Sequence, residues 1–396
     1  MGVKVCVFSS VHDALDQRIF HKECRSFVRA GHHVTLIARH SRAEVLNGVR
    51  IIPLNRSGRV SRIFRMGWQI YRKALTEKAD VYHFHDPELI GVGLMLRLNG
   101  KKVVYDVHED VPQDLLHKFY LPKWLRYPMS WLAKAIEALA AHSLSAVVVV
   151  TPSIAERFAK HTKNVVMVRN FAVLEEFPSH AAIPWNDRDP VVIFLGSMSR
   201  NRGIRELVEA IELVPESLNP KLRLLGPFSM PELLPELESL PGWVRTENLG
   251  ETQDRKRIGE TLDHVSAGVV TIHPIPQLMV SYPIKMFEYM AAGIPIIASD
   301  FPIWRKLIEE AACGLLVNPL EPREISAAIG YILSHPIEAE LMGRNGRMAM
   351  ETRFNWAHEE HALLGLYDQL CAPLPRRERG SRRREQSEAD LPVEGS

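Results

Sequence analysis

Short runs of aliphatic and β-branched residues alternate with helical stretches along most of the chain. In the first half "VKVCVF", "HVTLIA", "VRIIPL", "VYHFH", "KVVYDV", "AVVVVT" and "NVVMVRN" predict strands. In the second half "PVVIFLGSM", "LRLLG", "AGVVTIHP", "IPIIASD" and "GLLVNP" do the same. Between the first two strands lies "DQRIFHKECRSFVRAG", an amphipathic helix closed by Gly31. Strands that are apolar on both faces and separated by helices predict parallel sheets covered by helices on both sides. The expected fold class is therefore α/β, with two tandem Rossmann-like doubly wound domains facing a cleft. Such folds bind ligands at the carboxyl ends of their strands.

The pattern breaks once, at "VLEEFPSHAAIPWNDRDP", which is rich in proline and charge. That places a first domain over 1–172, a linker over 173–190 and a second domain over 191–353. A terminal helix over 354–371 is placed to cross back onto the first domain. Residues 372–396 carry six arginines from Pro375 on and no apolar period, and are expected to be a disordered tail.

Composition narrows the class. The 396 residues carry 49 basic and 47 acidic side chains, a net charge of +2, which gives no reason to expect nucleic acid as a partner. The four cysteines are scattered without CxxC spacing, arguing against a zinc ribbon or a disulfide framework and for a reducing compartment. No basic leader precedes the first strand, and no apolar run reaches the length of a spanning helix. The expected location is cytoplasmic.

Chemistry concentrates in the second half. In "FLGSMSRNRGIRELVEAI" a strand ends at Gly196, a polar turn with Ser197, Arg200 and Arg202 follows, and a helix begins near Gly203. "SYPIKMFEYMAAGIPIIASD" repeats the grammar, with Ser281 as the expected cap, Pro283 in the first turn, then Lys285 and Glu288 on one face. Each stretch alone reads as a solvated loop or a surface salt bridge. Two helix N-termini bearing cations in one domain instead suggest a diphosphate held between them, with Glu288 accepting hydrogen bonds from hydroxyls.

Those stretches, together with "GHHVTLIA", "FHDPELIGVG", "VVYDVHEDVP", "VVTPS" and "CGLLVNP", resemble the retaining glycosyltransferases of family four, the glycosyl transferases group 1, across about residues 1–370. The resemblance implies the GT-B architecture and sugar transfer, with retention, from a nucleotide diphosphate sugar to a sugar or lipid-linked acceptor. Surface-polysaccharide or lipopolysaccharide assembly is the implied setting. It implies that Glu288 holds the ribose, that Arg202 and Lys285 hold the diphosphate, and that Gly196, Ser197 and Ser281 lie beside the donor. It further implies that His108 lies next to the donor sugar and phosphate, and that no cofactor or metal takes part. The sequence departs from the family at Val280, where the first of two paired glutamates stands. It departs again at Ser197, where an arginine commonly follows the glycine, and at "SSVHDALDQR", which replaces a glycine-rich loop.

The first half would then hold the acceptor, with His12, Asp16, Arg18, His85, Asp86 and Glu109 as candidates. His83 and His85 share a strand face, and Asp106, His108, Glu109 and Asp110 close the next strand. A metal site is a second reading of these groups, and a structural role is a second reading of the mid-strand His83. "DRD" at Asp187–Asp189 mimics a metal-binding Asp-x-Asp but sits in the linker.

Two basic-aromatic segments, 61–78 and 115–134, suit either an anionic membrane surface or ordinary core packing. The first offers Ile63, Phe64, Trp68, Ile70 and Tyr71; the second interleaves Trp124, Tyr127 and Trp131 with Lys118, Lys123, Arg126 and Lys134. Two rival functions stay open: a nucleotide-sugar epimerase, which would turn over its donor without an acceptor, and a non-catalytic nucleotide-sugar-binding partner, which would bind without turnover.

Overall fold

The computed structural model describes residues 2–55, 65–117, 121–177, 185–252 and 254–372. The expected tail over 373–396, linker residues 178–184, the apolar pair Ile63 and Phe64, and Lys118 lie outside the described residues.

The first sheet holds β1 (Lys4–Asp13), β2 (His33–Arg39), β3 (Glu44–Leu46), β4 (Val49–Leu54), β5 (Val81–Phe84), β6 (Lys102–Val107), β7 (Ala146–Val149) and β8 (Val165–Met167). Their order is β3-β4-β2-β1-β5-β6-β7-β8. The second sheet holds β9 (Val191–Leu195), β10 (Lys221–Leu225), β11 (Thr246–Asn248), β12 (Ala267–Val270), β13 (Ile296–Ser299) and β14 (Gly314–Val317), in the order β11-β10-β9-β12-β13-β14. Every pairing is parallel except the β3–β4 hairpin. That hairpin turns on Asn47 and Gly48, both with positive φ, and went unread although Asn-Gly is a strong hairpin signal.

Side-chain alternation explains why the strands read as unbroken apolar runs. On β1, Val5 and Val7 pack on one side of the sheet while Cys6 and Phe8 pack on the other. On β9, Val191, Ile193 and Leu195 face one core and Val192 and Phe194 the other. Each sheet is buried on both faces, so no polar alternation survives in the sequence. The direction of winding reverses between β1 and β5 in the first sheet and between β9 and β12 in the second. Those are the switch points at which doubly wound sheets open a crevice.

The Trp356–Cys371 helix packs on the first domain. Trp356 donates from Nε1 to Ser26 Oγ at 2.9 Å, and Tyr367 Oη meets His83 Nδ1 at 2.7 Å. Glu359 Oε1 accepts two bonds from the Arg169 guanidinium, at 2.7 and 3.0 Å. A chain that has completed its second domain thus braces the first.

Candidate functional site

Between the two switch points lies a cavity of about 520 Å³, lined from the first domain by His12, Asp16 and Gln17 and from the second by Gly196, Arg255, Lys285 and Glu288, among others. Two more cavities continue it. One of about 380 Å³ shares His12 and adds His85, Asp86, His108 and Glu109; the other, about 510 Å³, shares His108 and Glu109 and reaches Val280 and Ser281.

The Ile284–Ala291 helix sets Lys285 and Glu288 on the wall of the first cavity, each only 5% exposed. They do not pair with each other. Glu288 Oε1 accepts from Arg255 Nη2 at 2.7 Å and from Gln17 Nε2 at 3.2 Å, the latter a bond across the two domains. Burial opposes its charge, but the Arg255 guanidinium and these hydrogen bonds outweigh it and lower the pKa. Arg255 also holds Glu176, at 2.8 Å.

Lys285 Nζ is buried with no hydrogen-bond partner among the described residues and lies 4.0 Å from the centroid of the Phe194 ring. Burial first, and the nearby charge of Arg202 second, push its pKa well below the ordinary lysine value. Gly196 stands at φ +103°, and a Cβ there would fall 3.0 Å from Nζ, so this turn needs glycine to admit the ammonium. Arg202 is paired with no carboxylate among the described residues, and burial lowers its pKa. Arg200, its neighbour, is committed to Glu236.

Ser281 is not the cap that was expected. Pro283 occupies the N-cap position, and the Ser281 hydroxyl donates to the Leu278 carbonyl at 3.2 Å. A proline with no side-chain acceptor leaves the first helical N–H groups without a side-chain cap. The Ile204–Leu213 helix likewise starts at Gly203, φ +65°, with no side-chain cap, because a Cβ there would meet the Thr271 carbonyl at 2.0 Å. Ser197 Oγ pairs with Ser229 Oγ at 2.6 Å. Val280, 58% exposed, lines the third cavity opposite His108 and Glu109.

On the first-domain side, Asp86 Oδ2 gathers Ser9 Oγ, Ser10 N, Ser10 Oγ and Val11 N at 2.6–3.2 Å and so ties down the carboxyl-terminal half of β1. His12, near the end of the same strand, has Nε2 3.5 Å from Asp86 Oδ1 and Nδ1 3.4 Å from Asp16 Oδ2. Burial disfavours its charged ring, but Asp16, Asp86 and Glu109 outweigh burial and raise its pKa. Asp16 caps the Gln17–Cys24 π-helix through the N–H groups of Arg18 and Ile19. Burial opposes its charge too, yet the bond to His12 and that ring's charge bring its pKa down to about 2.

Arg18 is a correction. Expected on the acceptor side, it lies 5% exposed in the interior and lines none of these three cavities. Its guanidinium reaches Asp106 Oδ2 at 2.8 Å, Glu23 Oε1 at 2.9 Å and the Val168 carbonyl at 3.0 Å. The reason is its register. Arg18 falls in the first turn of a helix that packs on the sheet, on the face that also buries Lys22.

His85 is buried between two parallel rings, His83 at 4.9 Å and His108 at 5.2 Å. His108 Nδ1 lies 3.3 Å from Asp106 Oδ1. Sequence reasoning missed Gln17, Glu176 and Arg255. Asp254 marks a helix start, accepting from Lys256 N at 3.0 Å, but nothing in "DRKR" says which cation turns to the cleft.

Residues 17–176 match the family described as Glycosyltransferase Family 4, and residues 176–349 match Glycosyl transferases group 1. An uncharacterized glycosyltransferase of Methanocaldococcus jannaschii is 25% identical over 201 residues, 50% of this chain and 50% of that protein. Phosphatidyl-myo-inositol mannosyltransferase of Mycobacterium tuberculosis is 24% identical over 86% of this chain and 89% of its own. The chain spans at most about half the length of the first curated relatives it matches. Among solved structures, sucrose-phosphate synthase from Thermosynechococcus elongatus superposes with a TM-score of 0.72 at 20% identity, over 93% of this chain and 99% of its own. Anabaena HepE in complex with UDP-glucose does so with a TM-score of 0.69 at 13% identity, over 93% and 100%.

Proposed function

This chain belongs to the group 1, family 4 glycosyltransferases of GT-B fold, and from that premise we propose that its cleft transfers a hexosyl group from a nucleotide diphosphate sugar with retention of configuration. One observation carries the reading: Lys285 Nζ is buried and unpartnered beside Gly196, one turn before a carboxylate that is firmly held. Burial without a counter-charge disfavours the charged form of Lys285 in the free protein, and an anion bound beside it restores that charge.

The diphosphate sits between Lys285, Arg202 and the two helix N-termini that lack side-chain caps. Glu288, fixed by Arg255 and Gln17, accepts from the ribose hydroxyls. As the sugar–phosphate bond breaks, charge grows on the diphosphate, and the preorganised cations stabilise it most at that point. A leaving-group oxygen takes the proton of the acceptor hydroxyl attacking from the same face. His108 and Glu109 border the second and third cavities, where an acceptor in surface-glycan or glycolipid assembly would lie. The transfer step uses no divalent metal in this cleft. The name of the mycobacterial relative and the exposed ridge of Trp124, Tyr127 and Trp131, 72–76% exposed beside exposed Lys123 and Lys134, support a lipid-linked acceptor reached at an anionic membrane face. Ile70 of the other basic-aromatic segment is fully buried and takes no part in that ridge.

The test is titration of a panel of nucleoside diphosphates into wild type and Glu288→Gln. Affinity for the preferred nucleotide should drop by about 1.5–3 kcal/mol, the worth of a charge-assisted hydrogen bond. Equal affinity in a folded variant would remove Glu288 from donor binding.

A further inference from the structure

Beneath the cleft, the helix after β1 and the ends of β5 and β6 bring four side chains to one point: Glu23, His83, His85 and Asp106. One ligand-type atom from each lies within 4.8 Å of the others, and all four residues are buried. His83 Nε2 stands 3.6 Å from Asp106 Oδ2 and 3.9 Å from Glu23 Oε2; His85 Nε2 stands 3.6 Å from Glu23 Oε2, and its Nδ1 3.8 Å from Asp106 Oδ2.

These spacings are too long for hydrogen bonds. Among the described residues, Glu23 Oε2, His83 Nε2 and both nitrogens of His85 lack a hydrogen-bond partner, while Glu23 Oε1 and Asp106 Oδ1 are met only by Arg18 and His108. Buried polar atoms are ordinarily satisfied, so this many orphans in one place require an account. A proton on Glu23 serves one contact and leaves the imidazole nitrogens as they were. A cation serves all four residues at once. With bonds of about 2.0–2.2 Å, a tetrahedral cation sets its ligands about 3.3–3.6 Å apart, so four donors spread over up to 4.8 Å draw in by about an ångström when it binds.

The surroundings suit such an ion. The Tyr367 hydroxyl at His83 Nδ1 fixes that ring, and with the proton on Nδ1 the lone pair on Nε2 turns inward. Arg18 engages Glu23 Oε1 and Asp106 Oδ2 and balances part of the carboxylate charge, leaving Glu23 Oε2 toward the histidines. We propose that Glu23, His83, His85 and Asp106 form a buried site for one divalent transition-metal cation of the zinc type, which ties the Gln17–Cys24 helix to β5 and β6. Imidazole and carboxylate donors in a four-coordinate set favour zinc over magnesium or calcium. The ion is separate from the donor cleft and takes no step in sugar transfer; through Asp106 it supports His108.

The experiment produces the full chain in minimal medium supplemented with Zn²⁺ or Co²⁺, desalts it over chelating resin and measures metal content and visible absorption. The expected result is about one equivalent of metal per chain, with the intense d–d bands of tetrahedral Co²⁺, lost in Glu23→Gln and His85→Asn but kept in the surface control His361→Gln. Should either variant fail to fold, the Co²⁺ spectrum of the wild type decides by itself. A wild type that emerges metal-free, or shows only weak octahedral bands, or metal that persists in folded Glu23→Gln and His85→Asn, overturns the proposal.

Discussion

The two domains treat buried charge in opposite ways. In the second, Lys285 lies on the wall of an open cleft with no hydrogen-bond partner among the described residues, while Arg202, half-buried and also without a paired carboxylate among them, lines none of the three cavities. In the first, Arg18 is as buried as Lys285 yet surrounded, with Glu23 and Asp106 within 2.9 Å and a backbone carbonyl besides. A charge buried with its partners serves the fold. A charge buried without them, facing a cavity, marks where a ligand completes the set.

Breaking the enclosed network should give the largest effect on stability. Arg18→Met takes the guanidinium away from the buried carboxyl groups of Glu23 and Asp106, and we expect a loss of about 3–5 kcal/mol in denaturant unfolding. A cost under about 1 kcal/mol would mean the interior charges do not hold one another. A smaller effect concerns the aromatic ridge, a third case of groups left without partners. Trp124→Ala combined with Trp131→Ala should lower retention on anionic vesicles by at least about a hundredfold at low salt with little change in melting, since each ring brings about 1.5–3 kcal/mol of apolar burial when it inserts. Equal flotation of variant and wild type would return these rings to plain surface.

The smallest effect is a pH dependence. Asp16 has its pKa brought down from 3.8 to about 2, so the folded state binds its proton later than the unfolded chain does. Its contribution to stability is therefore complete above pH 3.8 and is lost as pH falls through about 2. Asp16→Asn keeps an acceptor for the helix cap but removes the titration, and its stability–pH curve should be flatter across that window. Identical slopes would mean that the His12 pairing carries no net charge effect.

The contrast also explains what could be read from sequence. Strands buried on both faces announce themselves as runs such as "AVVVV", and both sheets were legible for that reason. The edge strands Glu44–Leu46 and Thr246–Asn248 were not, because three half-exposed residues carry no period. Lys285 and Glu288 were legible because a cation and a carboxylate amid "IKMFEYM" have no apolar reason to be there. Arg18 misled for the complementary reason. Its sequence neighbours place it near the cleft, and only the helix register turns it inward onto Asp106, 88 residues away. His83, His85, Asp106 and His108 could be seen to share a sheet edge, but their convergence with Glu23 depends on how the first helix crosses the sheet.

The measurement that bears most directly on the central claim is the pair of nucleoside diphosphate affinity and single-turnover transfer rate for Lys285→Ala, with melting curves alongside. An unpartnered ammonium awaiting a diphosphate predicts that both fall, the rate by about 10²–10³ because the lost interaction strengthens as the leaving group gains charge. Melting should hold or rise, since a buried polar group without a hydrogen-bond partner has been removed. A folded Lys285→Ala that binds the nucleotide and transfers sugar as the wild type does would contradict the account.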